Sequence, residues 1–231
     1  MMSFECDYNN GAHQKVLDNL IKYNGAHPTP YGFDEFCERA KERIREACGM
    51  HDAQIFFLTG GTQTNATTID SMLYQYEGVI CLESGHINVH ECGAVEFTEH
   101  KIITLPGTDG KMDPKVLDKY LDDFMHDGNN AHAVYPGLVY ITFPTEMGTL
   151  YTAQEIEAVY DTCRRHALPL FIDGARLGKT TTVTVLDSLS RPPLLPTKRL
   201  HGPLPPIQHR PTLKPQIHHL LTDITNTHKQ P

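Results

Sequence analysis

Apolar and polar positions along this chain switch between two periods. Phe36, Ala40, Ile44 and Ala47 recur at helical spacing, so the stretch from Phe33 to Cys48 reads as an amphipathic helix. Gln54 to Leu58 is a short apolar run and reads as a strand, and Thr62 to Tyr76 returns to helical spacing. Strands follow at Val79–Leu82, Ile102–Leu105, Leu138–Phe143 and Leu168–Ile172, with a mixed stretch from His86 to Phe97. Asp113 and Pro114 open a helix that runs to about Phe124, the first as N-cap and the second at the first helical position. Thr152 with Glu155 forms a capping box for a helix through His166. Strands separated by helices predict an α/β fold with a mostly parallel, doubly wound sheet.

That rhythm stops near residue 179. From Pro192 onward lie nine of the 16 prolines, whereas residues 180–231 hold one of the 17 glycines. Proline at this density blocks long helices and central strands, so 180–231 reads as a Pro-rich, disordered tail behind a domain of residues 1–179. Thr180 to Leu189 allows one short strand or plain coil. The tail holds two acids and six bases, a balance of +4, which leaves 1–179 at −12 of the overall −8. An acidic body lacks the basic face that nucleic-acid binding needs. No window approaches the roughly 18 apolar residues of a membrane span, and the N-terminus lacks the basic start and apolar run of a secretory signal. Six scattered cysteines without CxxC pairs fit reduced thiols in a cytoplasmic protein.

Four stretches carry candidate chemistry. Gly60-Gly61-Thr62-Gln63 follows the 54–58 run and opens a helix. Its free N–H groups, with Thr62 and Gln63 as side-chain donors, suit a phosphate, although a plain glycine connection with a threonine cap fits as well. Asp173, at the end of a buried strand, offers an acceptor for a protonated heterocyclic nitrogen, and Arg176 a donor for a carboxylate or phenolate oxygen. The alternative is a structural Asp–Arg pair at the strand end. His86 and His90 stand four apart, but the order is not His-Glu-x-x-His and no third ligand is evident. No metal site is expected there; one histidine stacked on a planar ligand fits better. Pro144-Thr145-Glu146-Met147-Gly148-Thr149 marks a third strand end.

Read together, these phrases resemble the pyridoxal-phosphate-dependent threonine aldolase and β-eliminating lyase family. The resemblance runs through Asp7-Tyr8, Gly11-Ala12-His13, Tyr31-Gly32, Gly60 to Asn65, Gly85 to Glu91, Pro144 to Tyr151 and Asp173 to Gly178, in family order. It implies a fold-type-I, transferase-like large domain that holds pyridoxal 5'-phosphate. By that resemblance Gly60, Gly61, Thr62 and Gln63 hold the phosphate and His86 stacks on the pyridine ring. Asp173 keeps the ring nitrogen protonated, and Arg176 lies near the phenolate or the substrate carboxylate. The implied reaction is retro-aldol cleavage of a β-hydroxy amino acid, threonine or allo-threonine, to glycine and an aldehyde, with His86 assisting at the β-hydroxyl. An amino-acid substrate and a homo-oligomer, dimer or tetramer, come with the family.

The family's Schiff-base lysine follows a further strand, and Lys198 sits at about that distance. Nothing before Lys198 reads as the strand that should present it, and a small C-terminal domain has no counterpart. The chain is therefore expected to be inactive or impaired, with an incomplete large domain. A β-eliminating lyase acting on another amino acid is one alternative. A catalytically silent remnant, or a Pro-rich interaction protein using Pro193 to Lys198 as an SH3 ligand, is another. The break in pattern is expected to mark an altered reading frame or unspliced sequence from about residue 179. Sequencing the transcript across codon 179 tests this, and one uninterrupted frame through to the stop codon would refute it.

Overall fold

The computed structural model describes residue 6, residues 11–176 and the backbone of residues 183–186. Within the expected tail only 183–186 are described, and they form a strand where Thr180 to Leu189 allowed one; the rest of the tail, the 179/180 boundary, Asp7-Tyr8 and Lys198 lie outside the described residues. The chain divides into two compact units, residues 1–57 and 58–231.

The first unit contains α1 (Gln14–Tyr23) and α2 (Glu35–Cys48). Asp34 caps α2 by accepting from the N–H groups of Phe36 and Cys37, and Gly49, at φ 62°, closes it in the left-handed conformation. The Cys37 thiol, together with these N–H groups, holds the Asp34 carboxyl below its usual range. Helix α1 was not legible in the sequence, although Val16, Leu17, Leu20 and Ile21 share one of its faces. All four are exposed. Gln54–Leu58 is irregular rather than a strand, with Phe56, Phe57 and Leu58 exposed. A short apolar run becomes a strand where a ladder partner exists, and among the described residues none pairs with it.

The second unit is a three-layer α/β/α sandwich. In chain order it contains α3 (Gly61–Met72), β1 (Glu77–Leu82), α4 (His86–Val89), α5 (Ala94–Phe97) and β2 (Lys101–Leu105). Then come α6 (Pro114–His126), β3 (Tyr135–Thr142), α7 (Ala153–Arg165), β4 (Leu170–Gly174) and β5 (Val183–Leu186). The sheet order is β2-β1-β3-β4-β5, parallel except for β5, which pairs antiparallel with β4. Alternation along the strands divides the core. Ile80, Leu82, Val139, Ile141, Leu170 and Ile172 face α6 and α7 through Leu117, Leu121, Ile156 and Val159. Val79, Cys81, Leu138, Tyr140 and Phe171 face α3, α4 and α5 through Ile69, Ile87 and Val95. Asp113 caps α6, and the Thr152–Glu155 capping box opens α7, as their sequence patterns require. No helix among the described residues is long and apolar enough to cross a membrane.

Neighbouring β2 and β3 lie on either side of β1, so the chain changes winding direction between β1 and β3. In open α/β sheets, ligands bind at this switch point, outside the carboxyl ends of the strands. At the opposite, amino edge two glycines let β1 pack closely against its neighbours. Gly137 is the extra residue of a bulge between the Gly78–Pro136 and Val79–Leu138 pairs. Opposite β2, a Cβ on Gly78 would stand 2.6 Å from the Lys101 carbonyl oxygen. Gly78→Ala is expected to cost about 1–3 kcal/mol in urea unfolding. Gly128→Ala, where a Cβ meets nothing within 4 Å, should leave the midpoint in place. Equal midpoints for the two variants would contradict the close approach.

Candidate active site

Three elements converge at the carboxyl edge of the sheet. Helix α3 leads into β1 through a short connection and runs antiparallel to it, so its N-terminus points to this edge. Its first-turn N–H groups have no intrahelical acceptors, and Gly60 provides no side-chain cap. A Cβ on Gly60 or Gly61 would meet nothing within 4 Å, so the turn is open to an anion. Thr62 and Gln63 are exposed there. The Gln63 carbonyl oxygen accepts from the backbone N–H (3.1 Å) and the hydroxyl of Thr59, which orients the side chain across the turn.

Asp173 closes β4 on the α3 side of the sheet and is buried. Its Oδ2 accepts from Tyr140 Oη at 2.7 Å and from Asn65 Nδ2 at 3.0 Å. Its Oδ1 accepts from the Ala175 N–H at 3.0 Å. Three donors compensate the desolvation of a buried carboxylate, which is otherwise costly. Burial and the adjacent Asp173 push the Tyr140 phenol far above its usual range, so it remains a proton donor. Asn65 lies four residues after Gly61, about 6 Å along the helix. Its bond to Asp173 therefore ties the glycine turn and the carboxylate to one site.

His86 begins α4, immediately past β1. Its Nδ1 lies 2.7 Å from Glu91 Oε1, which also accepts from Asn65 Nδ2 at 2.6 Å. The Glu91 side chain is fully buried and that of His86 is 28% exposed. Ligand atoms of His86, Glu91 and Asp173 lie within 4.8 Å of one another. His86 Nδ1, Glu91 Oε1 and both Asp173 oxygens are engaged in hydrogen bonds, so the cluster is tied internally. The His90 ring, 5.5 Å from that of His86, is exposed. Arg176 Nη1 pairs with Glu146 Oε1 at 3.2 Å, joining the end of β4 to the loop after β3. A small hollow lined by Leu82, Ser84, Gly85, Tyr140, Thr142 and Glu146 opens at the switch point. Cys81 lies on β1 facing α3, and burial pushes its thiol up to about 12, so it offers no thiolate.

The structure thus brings together Gly60, Gly61, Thr62, Gln63, His86 and Asp173, with Arg176 at the end of the same strand. Lys198 lies outside the described residues. Asn65, Tyr140 and Glu91 were not singled out as site residues by sequence reasoning. Asn65 ends a motif whose sequence signal is its glycines, and Glu91 closes a phrase whose signal is two histidines four apart. Tyr140 had no signal beyond its strand.

A model of beta-eliminating lyases matches residues 15–187. The chain belongs to the beta-eliminating lyase family. A low specificity L-threonine aldolase of Pseudomonas sp. (strain NCIMB 10558) is 31% identical over 175 residues, covering 75% of this chain and 49% of the relative. The solved threonine aldolase of Leishmania major is 41% identical with a TM-score of 0.69, covering 74% of this chain and 48% of that one. An Escherichia coli aminotransferase, 12% identical with a TM-score of 0.58, covers 95% of this chain and 57% of its own and shares the fold. This beta-eliminating lyase family chain spans about half the length of the curated relatives it matches. Asn65→Leu leaves Glu91 and Asp173 each short of a donor. It is expected to cost about 1–3 kcal/mol for each carboxylate affected, read as a lowered urea midpoint. An unchanged midpoint would show that Asn65 does not bridge them.

Proposed function

We propose that residues 58–176 form the cofactor-holding layer of a pyridoxal-phosphate-dependent lyase that cleaves a β-hydroxy amino acid to glycine and an aldehyde. One observation carries the reading: a buried, triply hydrogen-bonded Asp173 tied by Asn65 to an open helix N-terminus. That pairing fits the two ends of the cofactor, a phosphate and a basic ring nitrogen. The threonine aldolases among its relatives favour the same substrate class.

In this reading the Gly60–Gly61 turn and Thr62 hold the phosphate, with Gln63 braced by Thr59. Asp173 holds a proton on the ring nitrogen, while Tyr140 and Asn65 keep its carboxylate aimed. Pyridoxal phosphate, when bound, supplies the electron sink for the carbanion left when Cα–Cβ breaks. His86 covers the ring and accepts the proton of the β-hydroxyl. Arg176, steadied by Glu146, attracts the substrate carboxylate or the cofactor phenolate. Covalent catalysis also needs a desolvated lysine. Among the described lysines of this unit, Lys111 is bound to Glu155 and Lys119 to Asp123. Lys101 begins β2, at the opposite edge of the sheet, and Lys115 is exposed in the first turn of α6, a helix packed on the sheet face away from Asp173. The proposal is therefore of cofactor uptake with impaired turnover in this chain, and of assembly into a homo-oligomer as in the family.

Titration with pyridoxal phosphate, followed by absorbance, should show saturable uptake. Asp173→Asn should weaken it about ten- to hundredfold, the equivalent of about 1.5–3 kcal/mol for a charge-assisted hydrogen bond. Borohydride should fix little cofactor to protein. No uptake by the unsubstituted chain would overturn the cofactor reading, and efficient fixation on Lys198 would overturn the impairment.

A further inference from the structure

Glu91 is the least explained group at this edge of the sheet. It lies in no helix or strand, between α4 and α5, yet its side chain is fully buried. One carboxylate oxygen, Oε2, is buried without a hydrogen-bond partner. The other, Oε1, faces two nitrogens at once, Asn65 Nδ2 at 2.6 Å and His86 Nδ1 at 2.7 Å. Burial of a carboxylate in a connecting segment, with one oxygen unsatisfied, is costly, which points to a demand from its partners.

We infer that Glu91 is a positioning residue that fixes the tautomer of His86, with the proton on Nδ1 and the lone pair on Nε2. Oε1 accepts the Asn65 N–H, so a proton on Glu91, if present, sits on the solitary Oε2. In either protonation state Oε1 faces His86 as an acceptor, and Nδ1 must donate to it. The neutral imidazole then presents a proton-free Nε2, because the bond made by one ring nitrogen sets the state of the other. Glu91 and Asp173 also share Asn65, whose two amide hydrogens serve one carboxylate each. The geometry therefore orients two functions together: His86 as a proton acceptor and Asp173 as the acceptor for a protonated ring nitrogen. The tautomer follows from contacts within the chain. Its use as a base at the β-hydroxyl rests on the function proposed above.

The test is long-range proton–nitrogen NMR of the ligand-free chain through a pH series, read where the two ring-nitrogen shifts themselves show a neutral imidazole. The His86 signals are assigned by their loss in His86→Gln. The unsubstituted chain is expected to show Nδ1–H, against the Nε2–H preference of a free histidine. Glu91→Gln keeps an acceptor oxygen at this place and should retain Nδ1–H. Glu91→Ala removes it and should return the ring to Nε2–H, with pyridoxal phosphate uptake weakened about tenfold as Asn65 and His86 lose their anchor, roughly 1.4 kcal/mol. Nε2–H in the unsubstituted chain overturns the inference without reference to any variant, as does Nδ1–H persisting in Glu91→Ala. The spectra need no cofactor, so a failure of uptake by the unsubstituted chain strikes the functional reading and leaves the tautomer decided by itself.

Discussion

Two carboxylates buried on one side of a parallel sheet, with a single amide between them, set the terms for the active edge of this molecule. Asp173 reaches that position because strand alternation puts it on the same face as Phe171 and Tyr140, away from α6 and α7. Removed from water, it needs donors, and it takes them from a strand neighbour, a helix and its own following loop. Glu91 makes the same demand on the same asparagine. The relative placement of α3, β3, β4 and the segment after α4 is therefore constrained by hydrogen bonds as much as by apolar packing. An unpaired buried carboxylate costs more than most single apolar contacts contribute.

The sheet topology makes such a meeting possible. Reversal of winding between β1 and β3 leaves the carboxyl ends of β1, β3 and β4 side by side, with α3 starting at the same edge. Residues as far apart in sequence as Asn65 and Asp173 become hydrogen-bonded neighbours. Glycine sets the fine geometry at the opposite edge. Gly78 admits the Lys101 carbonyl, and the Gly137 bulge resets the register of β3 against β1. Both adjustments lie on the amino side of the strands and leave their carboxyl ends free to differ in loop and function.

The same edge suits a ligand with a negative end and a protonated ring. The open Gly60–Gly61 turn offers backbone N–H groups with no side chain in the way, and Asp173 lies one helical turn further along, through Asn65. His86 is partly exposed at the same edge, and its Nδ1 lies against the buried Glu91 carboxylate. Arg176 and Glu146 brace the rim. In the function proposed above, the protein binds and orients while the cofactor carries the bond chemistry.

Local rules were enough for much of this. The caps at Asp113 and Thr152, the helices they open and the buried strands at 79–82, 138–143 and 170–172 follow from spacing and side-chain chemistry within a few residues. So does the anion-ready turn at Gly60–Gly61, because a helix N-terminus is a local property. The Gln54–Leu58 run misled for the converse reason: apolar composition makes a strand possible, but a ladder partner decides it. Helix α1 escaped notice because its apolar residues cover one short face and bury nothing within the described structure. Tyr140, Asn65 and Glu91 could not be assigned from sequence, since each acquires its role from a contact made across the fold. Which side chains stand near the cofactor motifs was written in the order of residues. Which of them share a proton was decided by tertiary structure, because hydrogen bonding acts over about 3 Å of space, regardless of separation along the chain.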